Sequence, residues 1–127
     1  MFKNARYQVA ENRPIAREVL RMRLLGDTRW ITAPGQFVNV RVDGCYLRRP
    51  ISVCDWDSGG LTLVYRAVGK GTRLLAGVRP GETLDLLTGL GNGYDLPAAR
   101  GKRTVLIGGG VGVPPLYGLA RRLALAG

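Results

Sequence analysis

Along most of the chain hydrophobic residues return at every second position. Leu20, Met22 and Leu24 alternate with Arg21 and Arg23, the pattern of a strand buried on one face. Val38, Val40 and Val42 alternate with Asn39 and Arg41, and Leu61, Leu63 and Tyr65 alternate with Thr62, Val64 and Arg66. Another short strand is predicted from Glu82 to Leu87, after Pro80-Gly81. Turn residues at Pro34-Gly35 and Asp57-Ser58-Gly59-Gly60 punctuate these runs. Many short strands at such spacing predict a sandwich or barrel, so the chain reads as mainly β.

The texture changes after Asp95. Pro97 to Lys102 reads as a linker, and Thr104 to Ile107 is a compact apolar run without alternation, as in a parallel sheet. Gly108-Gly109-Gly110 follows, and Pro114-Pro115 opens a helix reaching Ala126. One strand–loop–helix unit does not complete a nucleotide-binding domain, because a parallel strand needs neighbours. The expected organisation is a barrel over residues 1–98, followed over residues 102–127 by the incomplete start of an α/β domain.

The chain has 127 residues, 46% of them hydrophobic, enough for one domain with a real core. No apolar run approaches the roughly 18 residues of a membrane span. The start, Met1 to Arg6, lacks the apolar stretch of a signal peptide, so a cytoplasmic location away from membranes is expected. The net charge of +10 raises the question of nucleic acid. Sixteen arginines are scattered without a basic tail, and aromatic residues make up 7%, none clustered among the arginines to stack bases. A basic barrel that binds nucleic acid is therefore a remote alternative, and a phosphate-bearing cofactor or an acidic protein suits the charge equally well. Histidine is absent, which removes the commonest general base and metal ligand and excludes a Ser-His-Asp site. Cys45 and Cys54 stand nine positions apart and form no metal-binding pair.

Three segments have residue types suited to chemistry. In Arg49-Pro50-Ile51-Ser52 the arginine offers a planar fork of donors for phosphate oxygens, the proline fixes the backbone, and the serine can reach a heteroaromatic nitrogen. Alone, the string also fits an ordinary strand bend. Gly69-Lys70-Gly71-Thr72 precedes a short helical run ending at Gly77, with Thr72 as the expected N-cap. Free N–H groups there would face an anion, though a plain capped surface helix fits as well. Gly108-Gly109-Gly110 is a third glycine turn, but it departs from the strict dinucleotide fingerprint, and by spacing alone it is also a tight connection.

Taken in order, Pro34-Gly35-Gln36-Phe37-Val38, Arg49-Pro50-Ile51-Ser52, Val64-Tyr65-Arg66, Gly71-Thr72, Leu90-Gly91-Asn92-Gly93 and the triple glycine with Pro114-Pro115 resemble the ferredoxin–NADP reductase superfamily. Within it they are most similar to the electron-transfer subunits of type B, NAD-dependent dihydroorotate dehydrogenases. The resemblance covers nearly the whole chain. It implies a six-stranded antiparallel FAD-binding barrel followed by the first strand, loop and helix of a nicotinamide-binding domain, in a chain truncated at its C-terminus. It assigns FAD contacts to Arg49, Pro50, Ile51 and Ser52, to Val64, Tyr65 and Arg66, and to Gly71 and Thr72, with Gly108, Gly109 and Gly110 on the NAD side. Ile51 stands where the wider superfamily often has tyrosine.

The resemblance further implies electrons received from an FMN-containing dihydroorotate dehydrogenase subunit and passed through a [2Fe–2S] cluster to FAD and NAD, in pyrimidine biosynthesis. The family's cluster ligands lie in a C-terminal region absent from this sequence, and Cys45 and Cys54 are not their equivalents. A reductase of the same superfamily serving ferredoxin, sulfide or an oxygenase is the nearer alternative.

Overall fold

The structure, a computed structural model, describes residues 3–126. Six antiparallel strands close into a barrel: β1 (Lys3–Ala16), β2 (Val19–Leu25), β3 (Phe37–Val40), β4 (Arg49–Trp56), β5 (Gly60–Arg66) and β6 (Thr83–Leu90). Their order around the barrel is β1-β2-β5-β4-β3-β6. Closure leaves no open sheet edge among the described strands. A short helix, α1 (Lys70–Ala76), connects β5 to β6, and a longer one, α2 (Pro114–Ala126), packs outside against β4.

The expected alternations place the core. Met22, Leu24, Val38, Val40, Leu61 and Leu63 are fully enclosed, while Arg21, Arg23 and Asn39 lie on the outer face. Val42 is buried just past the end of β3, held in a turn where the Cys45 N–H donates to its carbonyl at 3.0 Å.

β1 has no counterpart among the predicted strands. Its signal is present, since Tyr7 and Val9 are buried between exposed Arg6, Gln8 and Ala10. The alternation is then blurred by polar residues and a proline where β1 runs on to pair with β2, with register shifts at Val9/Glu11 and Pro14/Ala16. Such bulges break a period of two.

The predicted strand at Thr104 to Ile107 is not a strand in the fold. Val105 and Ile107 are 77% and 89% exposed. A parallel strand takes its hydrogen bonds from neighbours, and none of the described strands lies beside this run. The helix after it forms as expected, with Pro114 and Pro115 in its first turn.

α1 stoppers one end of the barrel through Leu75, which has no exposed surface. Asn12 of β1 fastens it. Its amide nitrogen donates to the carbonyls of Leu75 (3.0 Å) and Val78 (2.8 Å), and its oxygen accepts from the Tyr65 hydroxyl at 2.7 Å. An Asn12→Ala substitution strands the Val78 carbonyl and a buried hydroxyl, while the Leu75 carbonyl keeps the Val78 N–H at 3.1 Å, and is expected to cost about 2–3 kcal/mol. The check is a urea midpoint that falls while the slope stays constant.

Candidate functional site

Strand alternation splits the expected cofactor residues between two faces. On β4, Ile51 points into the barrel at 7% exposure, whereas Pro50 and Ser52 stand on the outer side. On β5, Val64 and Arg66 are outside, and Arg66 pairs with Glu18 at 3.6 Å. Tyr65 is 3% exposed and its hydroxyl is committed to Asn12. The side chains of Ile51 and Tyr65 thus support the site from within the core.

Burial pushes the Tyr65 phenol up to about 12, with the Asn12 bond pulling weakly the other way. Its pKa is raised in the folded state, so its contribution to stability is complete below about pH 10, the unfolded phenol value, and is lost as pH rises through about 12. A pH series of thermal melts should fall across that window. Tyr65→Phe should flatten part of the fall, leaving the part that belongs to Tyr7 and Cys54, whose acidic groups burial also raises.

Arg49 meets Gly71 directly. A methyl group on Gly71 would stand 2.1 Å from the Arg49 Nε and 2.9 Å from its Cγ and Cδ. The arginine therefore lies across the helix backbone at a point only glycine leaves open. Its Nη1 donates to the Leu47 carbonyl at 3.1 Å, and among the described residues no carboxylate pairs with it. A guanidinium held by packing and carbonyl contact keeps donors free for an anion.

Thr72 differs from its expected place. The N-cap is Gly69, in extended conformation, and Thr72 is the third helical residue. Its hydroxyl reaches back to accept from the N–H groups of Val68 (3.1 Å) and Gly69 (3.0 Å). This is the reciprocal half of a capping box, which a threonine can supply from inside the first turn. Gly77 does end the helix, at a right-handed φ of −85°.

The triple glycine lies at the start of α2. A Cβ on Gly108 would meet the Leu116 side chain at 2.8 Å and the Gly112 carbonyl at 3.2 Å, so the chain folds tightly back on the helix there. Nothing lies within 4 Å of a Cβ built on Gly109 or Gly110, and Gly110 takes a φ of +56°. The Gly110–Gly112 turn packs against β5, and α2 against β4. These are the strands that present Val64 and Ser52 outward. Arg49 and Ser52 are about 10 Å apart along β4 at strand spacing. One end of the site thus has a guanidinium without a carboxylate partner among the described residues, over bare backbone, and the other has small, neutral outer-face residues on the two strands that the glycine turn and α2 pack against.

Pro34-Gly35 and Leu90-Gly91-Asn92-Gly93 come together away from the charged end. Tyr94 N–H donates to the Pro34 carbonyl at 2.7 Å, and the buried Gln36 amide donates to Gly91 at 3.1 Å. Their part is to tie the end of β6 to the start of β3.

The two ends suit an elongated cofactor with an anionic segment and a planar ring, as FAD has. An iron–sulfur cluster does not fit. Among the described residues no three His, Cys, Asp or Glu side chains gather as ligands. Burial, then the Asp55 charge, pushes the Cys54 thiol up and away from the thiolate that binds metal.

Sequence reasoning missed Asn12, and also Asp55, Trp56, Arg121 and Arg122, which join β4 to α2. Each acts through a partner far along the chain, so no local spacing marks it.

No protein-family model matches the chain. A dihydroorotate dehydrogenase B (NAD(+)) electron transfer subunit from Geobacillus sp. (strain WCH70) is 46% identical, over the whole of this chain and 52% of its own length. The protein of the same description from Fusobacterium nucleatum is 43% identical, over 90% of this chain and 47% of its own length. The chain thus spans about half the length of the curated relatives it matches. Among solved structures, an Amycolatopsis cytochrome P450 reductase superposes with a TM-score of 0.84 at 29% identity, over 98% of this chain and 40% of that one. An NADH-dependent reduced ferredoxin-NADP oxidoreductase superposes at 0.80 and 29%, over 95% and 45%. The chain is thus similar over its whole length to dihydroorotate dehydrogenase B electron transfer subunits, and its fold is a ferredoxin–NADP reductase-like barrel.

Proposed function

We propose that this chain is the FAD-binding part of an electron-transfer subunit that carries electrons from dihydroorotate oxidation to NAD. The observation that carries the reading is the Arg49–Gly71 contact, an unpaired guanidinium laid over bare helix backbone at the start of the Arg49–Ser52 segment. Relatives at 46% identity named as electron transfer subunits support the pathway, pyrimidine biosynthesis. Residues 1–98 form the flavin barrel, and residues 102–127 begin the nicotinamide-binding unit. Arg49 and the backbone at Gly71 and Thr72 hold the pyrophosphate. Pro50, Ser52 and Val64 border the ring, backed from the core by Ile51 and Tyr65, with Arg66 at the rim. Gly108 to Gly110 face the nicotinamide side.

Bound FAD supplies the two-electron chemistry, and the protein's own work is to bind, orient and shield it. That division suits a chain with no histidine. The partner is an FMN-containing dihydroorotate-oxidising subunit in the cytoplasm, and any [2Fe–2S] centre takes its ligands from outside this chain. Among the described residues no helix is long and apolar enough to cross a membrane.

The test uses the full-length subunit, loaded with FAD and combined with a dihydroorotate-oxidising subunit. Dihydroorotate-dependent formation of NADH is expected, with an Arg49→Ala subunit strongly impaired. A complex that holds FAD and still leaves NAD unreduced would refute the assignment.

A further inference from the structure

The outer face of β4 holds a charged cluster that the flavin reading leaves unused. Asp55 accepts from two successive arginines of α2, Arg121 Nη1 at 2.6 Å and Arg122 Nη1 at 3.3 Å. The Arg122 guanidinium also lies over the Trp56 ring, 3.5 Å from its centroid. The same Nη1 is 3.3 Å from the Gly118 carbonyl one turn back, which holds the side chain against its own helix. Arg122 and Asp55 are only 24% and 19% exposed, so water screens this pair less than the surface pairs elsewhere. A planar cation on indole adds an attraction that strengthens as water is excluded.

Helix and strand are in backbone contact at the same place. A Cβ on Gly118 would stand 2.9 Å from the Cys54 carbonyl, so α2 sits as close to β4 as glycine allows. The Gly110–Gly112 turn and Pro114 run directly into this helix. The inward side of α2 is thus fixed at two successive levels, Gly118 on Cys54 and Arg122 on Asp55 and Trp56. By contrast the Thr104–Ile107 run before the turn has no strand partner among the described residues to hold it.

We propose that Arg122 is a positioning residue. Clamped by Asp55 and Trp56, it locks α2 to β4 and so holds the 108–112 glycine turn against the outer face that carries Ser52 and Val64. It touches no reacting atom and acts through the helix. The consequence for flavin rests on the FAD reading above: the clamp organises the ring end of the site and leaves the Arg49–Gly71 end alone.

The test compares the chain with its Arg122→Ala, Arg122→Lys and Asp55→Asn variants by amide hydrogen exchange, and by titration with FAD and separately with ADP. ADP carries the pyrophosphate and lacks the ring. In Arg122→Ala, exchange over residues 108–118 is expected to rise about tenfold while peptides of β2 and β5 stay unchanged. FAD affinity should fall severalfold with ADP affinity constant, and Arg122→Lys, which keeps the charge, should recover part of both. Asp55→Asn should show the same pattern more weakly, since the indole contact survives. Unchanged exchange over 108–118 in Arg122→Ala overturns the clamp. Equal losses of FAD and ADP overturn the restriction to the ring end. If the unsubstituted chain binds neither ligand, the FAD reading fails, and the exchange experiment still decides the clamp.

Discussion

Gly60→Ala is expected to destabilise the barrel more than any other single methyl group added to it. The new Cβ would stand 2.2 Å from the Leu24 carbonyl oxygen and 3.1 Å from its carbon. Both are backbone atoms in the seam where Gly60 faces Leu25 across β2 and β5. No rotamer change relieves such an overlap, so the strands must separate or the β5 start must unwind. That start is itself pinned, with Asp57 Oδ1 accepting from the N–H groups of Gly59 (2.8 Å) and Gly60 (3.0 Å). The Gly59 bond, then the Arg23 pair, hold the Asp57 carboxyl below its usual range, with the Gly60 bond adding least. Overpacking against an immobile neighbour costs about 3 kcal/mol or more. A melting temperature lower by about 10 °C should result for a domain of this size. A change of a degree or two would show that the seam is looser than its geometry says.

Gly71→Ala is expected to act oppositely, sparing the fold and damaging the site. Its Cβ would also collide, at 2.1 Å, but with the Arg49 side chain, which can swing away. Alanine favours a helix over glycine by about 1 kcal/mol, which offsets part of the disturbance to α1. The displaced guanidinium leaves its place over the helix start. Losing one charge-assisted contact to phosphate removes about 1.5–3 kcal/mol, or roughly 10- to 100-fold in FAD affinity. Thermal stability without flavin should change little. The pair of glycines thus separates a structural need for bare backbone from a ligand-binding one.

How much of this was legible beforehand differs by element. β2 and β5 were readable because one face of each is buried without interruption, so Leu20–Leu24 and Leu61–Tyr65 show a clean period of two. β1 was not, since bulges and polar outer residues break its pattern. Thr104–Ile107 looked like a strand because its composition suits one, but a ladder needs a neighbour as well as a suitable sequence. At the candidate site, the order of motifs names segments but carries no side-chain directions. Arg49 and Gly71 are twenty-two positions apart, and only closure of the barrel shows that one lies on the other. Tyr65 was placed beside the cofactor, whereas strand alternation sends its ring inward to Asn12. The Asp55–Arg122–Trp56 cluster left no trace in any local pattern, because its charges match those of an ordinary solvated helix face.

Flavin uptake by this chain is the most direct test of the FAD-binding barrel. The measurement is a visible spectrum after FAD is added to the folded protein and unbound ligand is removed by gel filtration. Circular dichroism of the same fraction establishes that the barrel is intact. One FAD is expected to be retained per chain, with loss of flavin from Arg49→Ala at the same concentration. A chain that shows the β-barrel spectrum and elutes free of flavin would contradict it.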